Sequence, residues 1–303
     1  MRSSSVEFRI TWCILSTLWI RLLTMIGGHA TPGPEENRHG IRLSLSGLYV
    51  YPIKSCGGIS LRTAQVDERG IRHDRRWMLV DEDGVFLSQR ERPRLSLVAI
   101  RMADDGLLVD APGMETLTVP FEIEGEHVFA RVWDELVETL NVGSEAGRWF
   151  SRFLGVACRL VYLPDRSVRA VDPEYAEPGE QVGLSDGFPF LVTSEASLAD
   201  LNSRLDEPLP MNRFRPNLVV RGCDAFAEDG WRQVRVGGIV FRVVKPCARC
   251  VITTVDQSSA ATGKEPLRTL ARYRKVGSKV LFGQNLIHDG TGVLNVGDAA
   301  ESA

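Results

Sequence analysis

The 303 residues are 44% hydrophobic and 25% charged, an ordinary globular composition that is long enough for one large domain or two. The formal net charge of −3 gives no reason to expect a nucleic acid or an anionic membrane surface as a partner. Six cysteines without a regular framework suit a reducing compartment, where thiols stay free.

Residues 10–26 form an apolar run that is interrupted by a single charge, Arg21. Three interpretations are open: a signal peptide, a short membrane anchor, or an untranslated stretch with the true start at Met25. A charge is costly in a span that barely reaches ~20 apolar residues, and no Arg-Arg pair marks this segment for twin-arginine export. We therefore expect a cytoplasmic protein, with membrane association through residues 10–26 as the open alternative. Residues 1–42 comprise this segment and a polar linker.

From residue 43 onward, short apolar runs alternate with turn signals such as Asp83-Gly84 and Asp105-Gly106. The first of these runs predict strands at residues 43–51, 64–67, 77–80, 95–100, 107–109, 117–119 and 128–132. Many short strands at this spacing indicate a barrel or a sandwich. A helix is predicted over Ser144–Leu154, where aromatic side chains share one face and Gly155 follows.

The polar, proline-bearing stretch after residue 163 divides the chain into two predicted domains, residues 43–163 and residues 164–298. Further strands are predicted at residues 159–162, 190–193, 218–221, 234–236, 238–244, 251–255, 280–281 and 293–296. A second helix is predicted with Ser197 and Asp200 as its capping box, and a third begins at Pro266. The predicted fold class is mainly β with α additions (α+β).

Cys247 and Cys250 lie on a predicted loop between two strands, because Lys245-Pro246 is expected to end the first. A zinc site would need four ligands, and neither the other cysteines nor the five histidines lie near this pair. A thioredoxin-like disulfide would need a helix after Cys250, where the chain is β-branched. One of the two thiols could instead be a soft ligand to a metal whose other ligands come from a bound cofactor. Both could also be ordinary half-buried cysteines. The spacing alone favours the last interpretation.

This cysteine segment and the run over residues 253–256 resemble the cofactor-binding segment of the MOSC-domain family, the molybdenum cofactor sulfurase C-terminal domain family. Within that family, the sequence is most similar to the mitochondrial amidoxime-reducing components and to bacterial proteins with a MOSC N-terminal β-barrel. Five further segments agree: residues 51–56 (YPIKSC), 74–77 (DRRW), 194–202 (SEASLADLN), 212–217 (NRFRPN) and 281–285 (LFGQN). Several ordered motifs make the resemblance specific.

The resemblance implies a β-barrel-like N-terminal domain packed on a β-barrel MOSC domain that binds the molybdenum cofactor (Mo-molybdopterin). It implies an oxidoreductase that reduces N-hydroxylated compounds, namely amidoximes, hydroxylamines and N-hydroxylated bases, with Cys250 as the thiolate ligand to molybdenum. The alternative is a carrier of the cofactor or of sulfur, without turnover of its own. No metal role is assigned to Cys247.

The resemblance also implies which residues form the site. Cys250 and Asp186 are the predicted catalytic residues, with Asp186 orienting substrate or water. The predicted cofactor-binding residues are Lys54, Ser55, Arg75, Arg215, Asn217, Arg249 and Cys250. Cations and hydrogen-bond donors suit the phosphate and pterin edges of this cofactor, although each arginine taken singly is more often a surface group.

Two departures from the family bear on the substrate and on the site. Gly187-Phe188 stands where relatives have small polar residues, and Asn285 stands where a relative has a tyrosine. The sequence has no ferredoxin-type cysteine run, no haem attachment motif and no Gly-rich dinucleotide fingerprint. We therefore expect a separate electron donor, either a ferredoxin or a cytochrome b5-like protein with its flavoprotein reductase.

Overall fold

A computed structural model describes residues 42–303 of the chain. In this part the chain forms mostly β-strands, with three α-helices and four short 3-10 helices, which confirms the predicted fold class. No helix within residues 42–303 is long and apolar enough to cross a membrane. The interpretations of residues 10–26 fall outside the described residues and stay predictions.

The elements are numbered here in chain order. The strands are β1 (Ser44–Val50), β2 (Ile59–Leu61), β3 (Thr63–Asp67), β4 (Gly70–Ile71), β5 (Trp77–Val80), β6 (Ala99–Met102), β7 (Gly106–Asp110), β8 (Leu117–Pro120), β9 (His127–Val132), β10 (Glu135–Asn141), β11 (Arg159–Tyr162), β12 (Phe190–Ser194), β13 (Leu218–Arg221), β14 (Gln233–Val236), β15 (Ile239–Ala248), β16 (Lys275–Val276), β17 (Lys279–Asp289), β18 (Gly292–Asn295) and β19 (Ala300–Ser302). The α-helices are α1 (Ser144–Leu154), α2 (Glu195–Asn202) and α3 (Leu267–Leu270), and 3-10 helices cover Pro93–Leu97, Met211–Arg213, Ala227–Gly230 and Val251–Thr254.

Seven strands close into a barrel in the order β1, β13, β12, β17, β15, β14 and β19. The barrel closes where Ser44 forms a β-bridge with Ala299 and where Ala300 N donates to Leu43 O over 2.9 Å. All seven strands contribute to one buried apolar cluster, whose burial drives their association. Strand β1 thus joins strands that follow residue 164. The division of the chain into residues 43–163 and 164–298 stays a prediction.

The other strands add to this barrel or build smaller sheets. Strand β2 pairs with β1, and β16 pairs with β17. The smaller sheets have the orders β5-β11-β10-β9, β18-β3-β4 and β6-β7-β8. Helix α1 has the predicted bounds and buries Phe150 and Phe153 in a cluster with Trp77. Gly155 ends this helix with φ 71°, a left-handed conformation that glycine adopts without a steric penalty. Strand β10 has no counterpart among the predicted strands.

Two predictions about local structure are wrong. Residues 95–100 are not one strand, since Pro93 begins a 3-10 helix and β6 starts only at Ala99. The cap of α2 is Ser194, whose side chain accepts a hydrogen bond from Ser197 N over 3.0 Å. Ser197 instead donates its hydroxyl to the buried Glu228 over 2.7 Å.

The predicted loop around the cysteines is also different in the structure. Pro246 does not end its strand. The pairing of β15 with β14 stops at Arg242, so the proline lies where β15 pairs with β17 alone. The register of that pairing shifts on both sides of Pro246, and irregular edge positions of this kind tolerate a proline. Residues 251–255 are not a strand but lie mainly in the 3-10 helix Val251–Thr254. Thr253 Oγ1 and Thr254 Oγ1 donate to carbonyls three residues earlier, which favours this helical turn over a strand.

Candidate functional site

A cleft of about 310 Å³ brings all of the predicted site residues together. Its wall includes Lys54, Ser55, Arg75, Asp186, Arg215, Asn217, Arg249 and Cys250. These residues come from five separate stretches of the chain, so only the fold makes them neighbours. Their roles in binding and catalysis stay predictions.

The cleft carries strong positive charge. Seven cationic side chains line it against one carboxylate, that of Asp186, although the whole chain has a net charge of −3. The cations are Lys54, Arg75, Arg90, Arg215, Lys245, Arg249 and Lys279. A concave surface with this charge attracts an anionic ligand.

Lys54 holds the loop that carries Asp186. Its ammonium donates to Leu184 O over 2.9 Å and pairs with Asp186 Oδ1 at 2.6 Å. Burial lowers the pKa of Lys54, which is 5% exposed, and the Asp186 carboxylate opposes that shift. Burial alone would raise the pKa of Asp186, but the Lys54 ammonium outweighs it and holds this pKa well below its usual range. Asp186 is therefore ionised, and its side chain is 57% exposed.

The ring of Tyr51 lies between the guanidinium groups of Arg75 and Arg215, at 4.2 and 4.3 Å from the ring centroid. Burial raises the pKa of Tyr51 to about 12 despite both cations, so its hydroxyl stays protonated and donates to Pro216 O over 3.0 Å. Arg75 pairs with Asp74 at 2.5 Å. Burial lowers the pKa of Arg215 to about 10, which still leaves it charged at neutral pH.

Asn217 supports Arg75 and does not present a free amide to the cleft. Its Oδ1 accepts from Arg75 Nη1 over 3.1 Å and from Leu191 N over 3.3 Å, while its Nδ2 donates to Tyr49 O over 3.2 Å. Both ends of the amide are thus engaged by the protein. We interpret Asn217 as a positioning residue for Arg75.

Three residues of the cleft adopt a left-handed backbone that side chains other than glycine rarely adopt. The φ angles are 68° at Ser55, 47° at Arg75 and 53° at Arg215. Such conformations cost of order 1–3 kcal/mol each and persist only where the surrounding structure enforces them. Their clustering indicates that the fold holds these side chains in position at the expense of stability.

Cys250 precedes the 3-10 helix Val251–Thr254, and its sulfur faces a residue that the sequence does not single out. Arg90 Nη2 lies 3.5 Å from Cys250 Sγ and 3.5 Å from Asp186 Oδ2. The Arg90 guanidinium also stacks over the Trp133 ring at 4.6 Å. Arg90 is one of three arginines between residues 90 and 94, and no local pattern distinguishes it from its neighbours.

Arg249 contacts the other cysteine of the pair. Its Nη1 lies 2.9 Å from Cys247 Sγ, and its Nη2 donates to Phe214 O over 2.6 Å. The guanidinium of Arg249 is thereby fixed to the wall of the cleft, between Cys247 of β15 and the backbone at Phe214. Cys247 serves here as a partner of Arg249.

The fold and the site define a class of protein. Residues 42–157 match the family described as the MOSC N-terminal beta barrel domain, and residues 179–301 match the MOSC domain family. The chain therefore belongs to the MOSC-domain family, which confirms the resemblance seen in the sequence.

Its relatives include the mitochondrial amidoxime-reducing components. Component 2 from Bos taurus is 37% identical over 289 residues, which cover 89% of this chain and 85% of the relative. Component 1 from Homo sapiens is 35% identical over 272 residues, which cover 83% and 80%. Among solved structures, the YUAD protein of Bacillus subtilis covers 86% of this chain and 96% of its own at 12% identity. Its TM-score of 0.41 is too low to add to the family assignment.

Proposed function

We propose that this protein is a molybdenum-cofactor-dependent oxidoreductase that reduces N-hydroxylated compounds such as amidoximes, hydroxylamines and N-hydroxylated bases. The observation that carries the proposal is a cleft that the Cys250 thiol lines together with seven cations and one ionised carboxylate. The family assignment supports the cofactor, and the names of the relatives support the reaction.

The cleft fits an anionic cofactor because four of its seven cations, Arg215 and Arg249 among them, have no protein counterion in the described part of the chain. Within residues 42–303, neither Arg215 nor Arg249 has a carboxylate oxygen within 4.0 Å. Both guanidinium groups are half-buried, and a charge that is partly removed from water is costly unless it is paired. A bound phosphate or pterin oxygen would offset this cost. Arg75, Arg215 and Arg249 would bind such groups with their planar guanidinium forks, and Lys54 would bind as a point charge. The thiolate of Cys250 is a soft ligand suited to molybdenum.

When bound, the cofactor supplies two-electron redox and oxygen-atom-transfer chemistry at its metal. The protein's own residues position the reactants. Asp186 is held ionised by Lys54, so it can accept a hydrogen bond from the N-hydroxyl group of a substrate. Arg90 lies between Asp186 and Cys250 and keeps the two groups in a defined relation. Ser55 anchors the same wall, since its carbonyl accepts from Gln89 Nε2 over 2.6 Å.

The electrons for this reaction come, in our proposal, from a separate protein. The donor is a ferredoxin or a cytochrome b5-like protein supplied by a flavoprotein reductase. The positive charge around the cleft favours an acidic donor, and such encounters are usually weak and steered by charge.

The metal content of the purified protein and its turnover test the proposal together. We expect molybdenum near one per chain and reduction of benzamidoxime with a chemically reduced dye as electron source. Cys250→Ala should abolish bound molybdenum or turnover, whereas the matched variant Cys247→Ala should keep the fold and much of the metal. Full metal content and full rate in Cys250→Ala would contradict the ligand assignment. Transfer of the cofactor to an acceptor apoprotein, without any turnover, would favour the carrier function instead.

A further inference from the structure

The loop that carries Asp186 lines the cleft over residues 185–188. Ser185 Oγ donates to Phe188 O over 2.8 Å, which closes a tight turn. A Cβ added to Gly187 in the middle of this turn would meet no heavy atom within 4 Å, so the glycine leaves free space beside Asp186. The next residue, Phe188, lines the cleft.

The ring of Phe188 is held firmly from behind. It packs against a buried apolar cluster formed by Val171, Val182 and Ile287. It also meets the ring of Tyr175 edge to face, with centroids 5.6 Å apart at an interplanar angle of 75°. A half-buried ring that is fixed in this way offers a rigid apolar face on which a planar aromatic ligand can pack.

A cation without a carboxylate partner lies next to this ring. Lys245 Nζ is 4.2 Å from the centroid of Tyr175 and 5.7 Å from that of Phe188, so two rings hold the ammonium in place. Within the described residues no carboxylate oxygen lies within 4.0 Å of Lys245 Nζ, whereas Lys54 is paired with Asp186. Lys245 is also not among the residues to which we assign the cofactor.

We propose that Phe188 and Lys245 form a substrate subsite that selects planar aromatic N-hydroxylated compounds with a carboxylate on the ring. This inference rests on the proposed reductase function and adds the substrate class. The aromatic ring of the substrate packs on Phe188, its carboxylate reaches Lys245, and its N-hydroxyl end lies toward Asp186. The space beside Gly187 admits a ring that a larger side chain would exclude.

Binding without turnover tests the subsite directly. The probes are benzamide and 4-carbamoylbenzoate, two amides with no N-hydroxyl group to reduce, titrated into the purified protein with its cofactor and followed by ligand-observed NMR. We expect 4-carbamoylbenzoate to bind about fivefold more tightly, the effect of one partly exposed ion pair. Lys245→Gln should remove this preference. The matched variant Lys279→Gln, which removes another cleft cation, should keep it.

The aromatic wall has its own test. Phe188→Leu preserves most of the buried volume but removes the ring, and we expect it to weaken the binding of both amides about threefold. An unchanged affinity in Phe188→Leu, or an unchanged preference in Lys245→Gln, would overturn the subsite.

Turnover separates a failure of the subsite from a failure of the proposed function. We expect kcat/KM to rise from acetamidoxime to benzamidoxime to 4-carboxybenzamidoxime, and Lys245→Gln to remove the last step. If none of the three compounds is reduced, the reductase function is wrong, and the amide titrations still decide the subsite. If all three are reduced equally well, the subsite is wrong and the reductase function stands.

Discussion

Tyr51 offers a direct test of how the fold holds its two central arginines. Its ring separates Arg75 from Arg215 at contact distance, and its hydroxyl donates to Pro216 O over 3.0 Å. Two substitutions divide these contributions. Tyr51→Phe removes only the hydroxyl, whereas Tyr51→Leu removes the hydroxyl and the aromatic face together.

The expected magnitudes follow from the burial of the ring, which is 2% exposed. Tyr51→Phe leaves the carbonyl of Pro216 without its partner, and we expect a loss of about 1–3 kcal/mol in the free energy of unfolding. Tyr51→Leu has the same loss and also removes two cation–π contacts, each worth about 0.5–2 kcal/mol. We therefore expect its free energy of unfolding to be lower than that of Tyr51→Phe by a further ~1–4 kcal/mol. Domains of this kind are stable by only about 5–15 kcal/mol, so both losses are measurable.

Urea unfolding followed by circular dichroism measures the stabilities, and mass spectrometry measures the molybdenum bound per folded chain. We expect Tyr51→Phe to keep most of its molybdenum, because the ring still separates the two guanidinium groups. Tyr51→Leu should fold but bind much less molybdenum, because Arg75 and Arg215 lose their common support. Equal stability and equal molybdenum content in the two variants would refute the role of the aromatic face.

Three further predictions concern the site and its surroundings. Lys54→Ala should fold but hold less cofactor, because the loop of Asp186 loses its anchor at Leu184 O; molybdenum analysis measures this. Burial raises the pKa of the fully buried Glu228 carboxyl, so its contribution to stability is present below the unfolded pKa and is lost as the pH rises through the folded pKa. The side chain in Glu228→Gln does not titrate. As the pH rises through that window, the free energy of unfolding of the wild type should fall relative to that of Glu228→Gln, by up to about 1.4 kcal/mol per pH unit. Urea unfolding at a series of pH values measures this difference. Finally, NADH or NADPH alone should not support steady turnover of an N-hydroxylated substrate in a spectrophotometric assay.

Each of these predictions has an outcome that would contradict it. Full cofactor content in Lys54→Ala would remove Lys54 from the site. Parallel stability curves for Glu228→Gln and the wild type across pH would show that this carboxyl does not titrate differently on folding. Turnover with NADH and no added carrier would reveal an internal electron route and would end the case for a separate donor.

The sequence by itself determined the family, the mainly β class and eight of the residues that line the cleft. These results rest on short contiguous motifs, which can be recognised from neighbouring residues without knowledge of the tertiary structure. Helix α1 was also predictable, because its apolar face repeats within a few residues and Gly155 marks its end. Local patterns of this kind report on interactions between residues that are near in the chain.

Only the tertiary structure decided which distant residues support the site. Arg90 faces Cys250 across 160 residues of sequence, and Tyr51 reaches Pro216 across 165. The same holds for Pro246. It stays within β15 because the pairing with β14 ends before the proline and the pairing with β17 shifts register around it. Contacts of this kind depend on which strands pair and where the barrel closes. A short window of sequence contains only one partner of each contact, so it cannot reveal them.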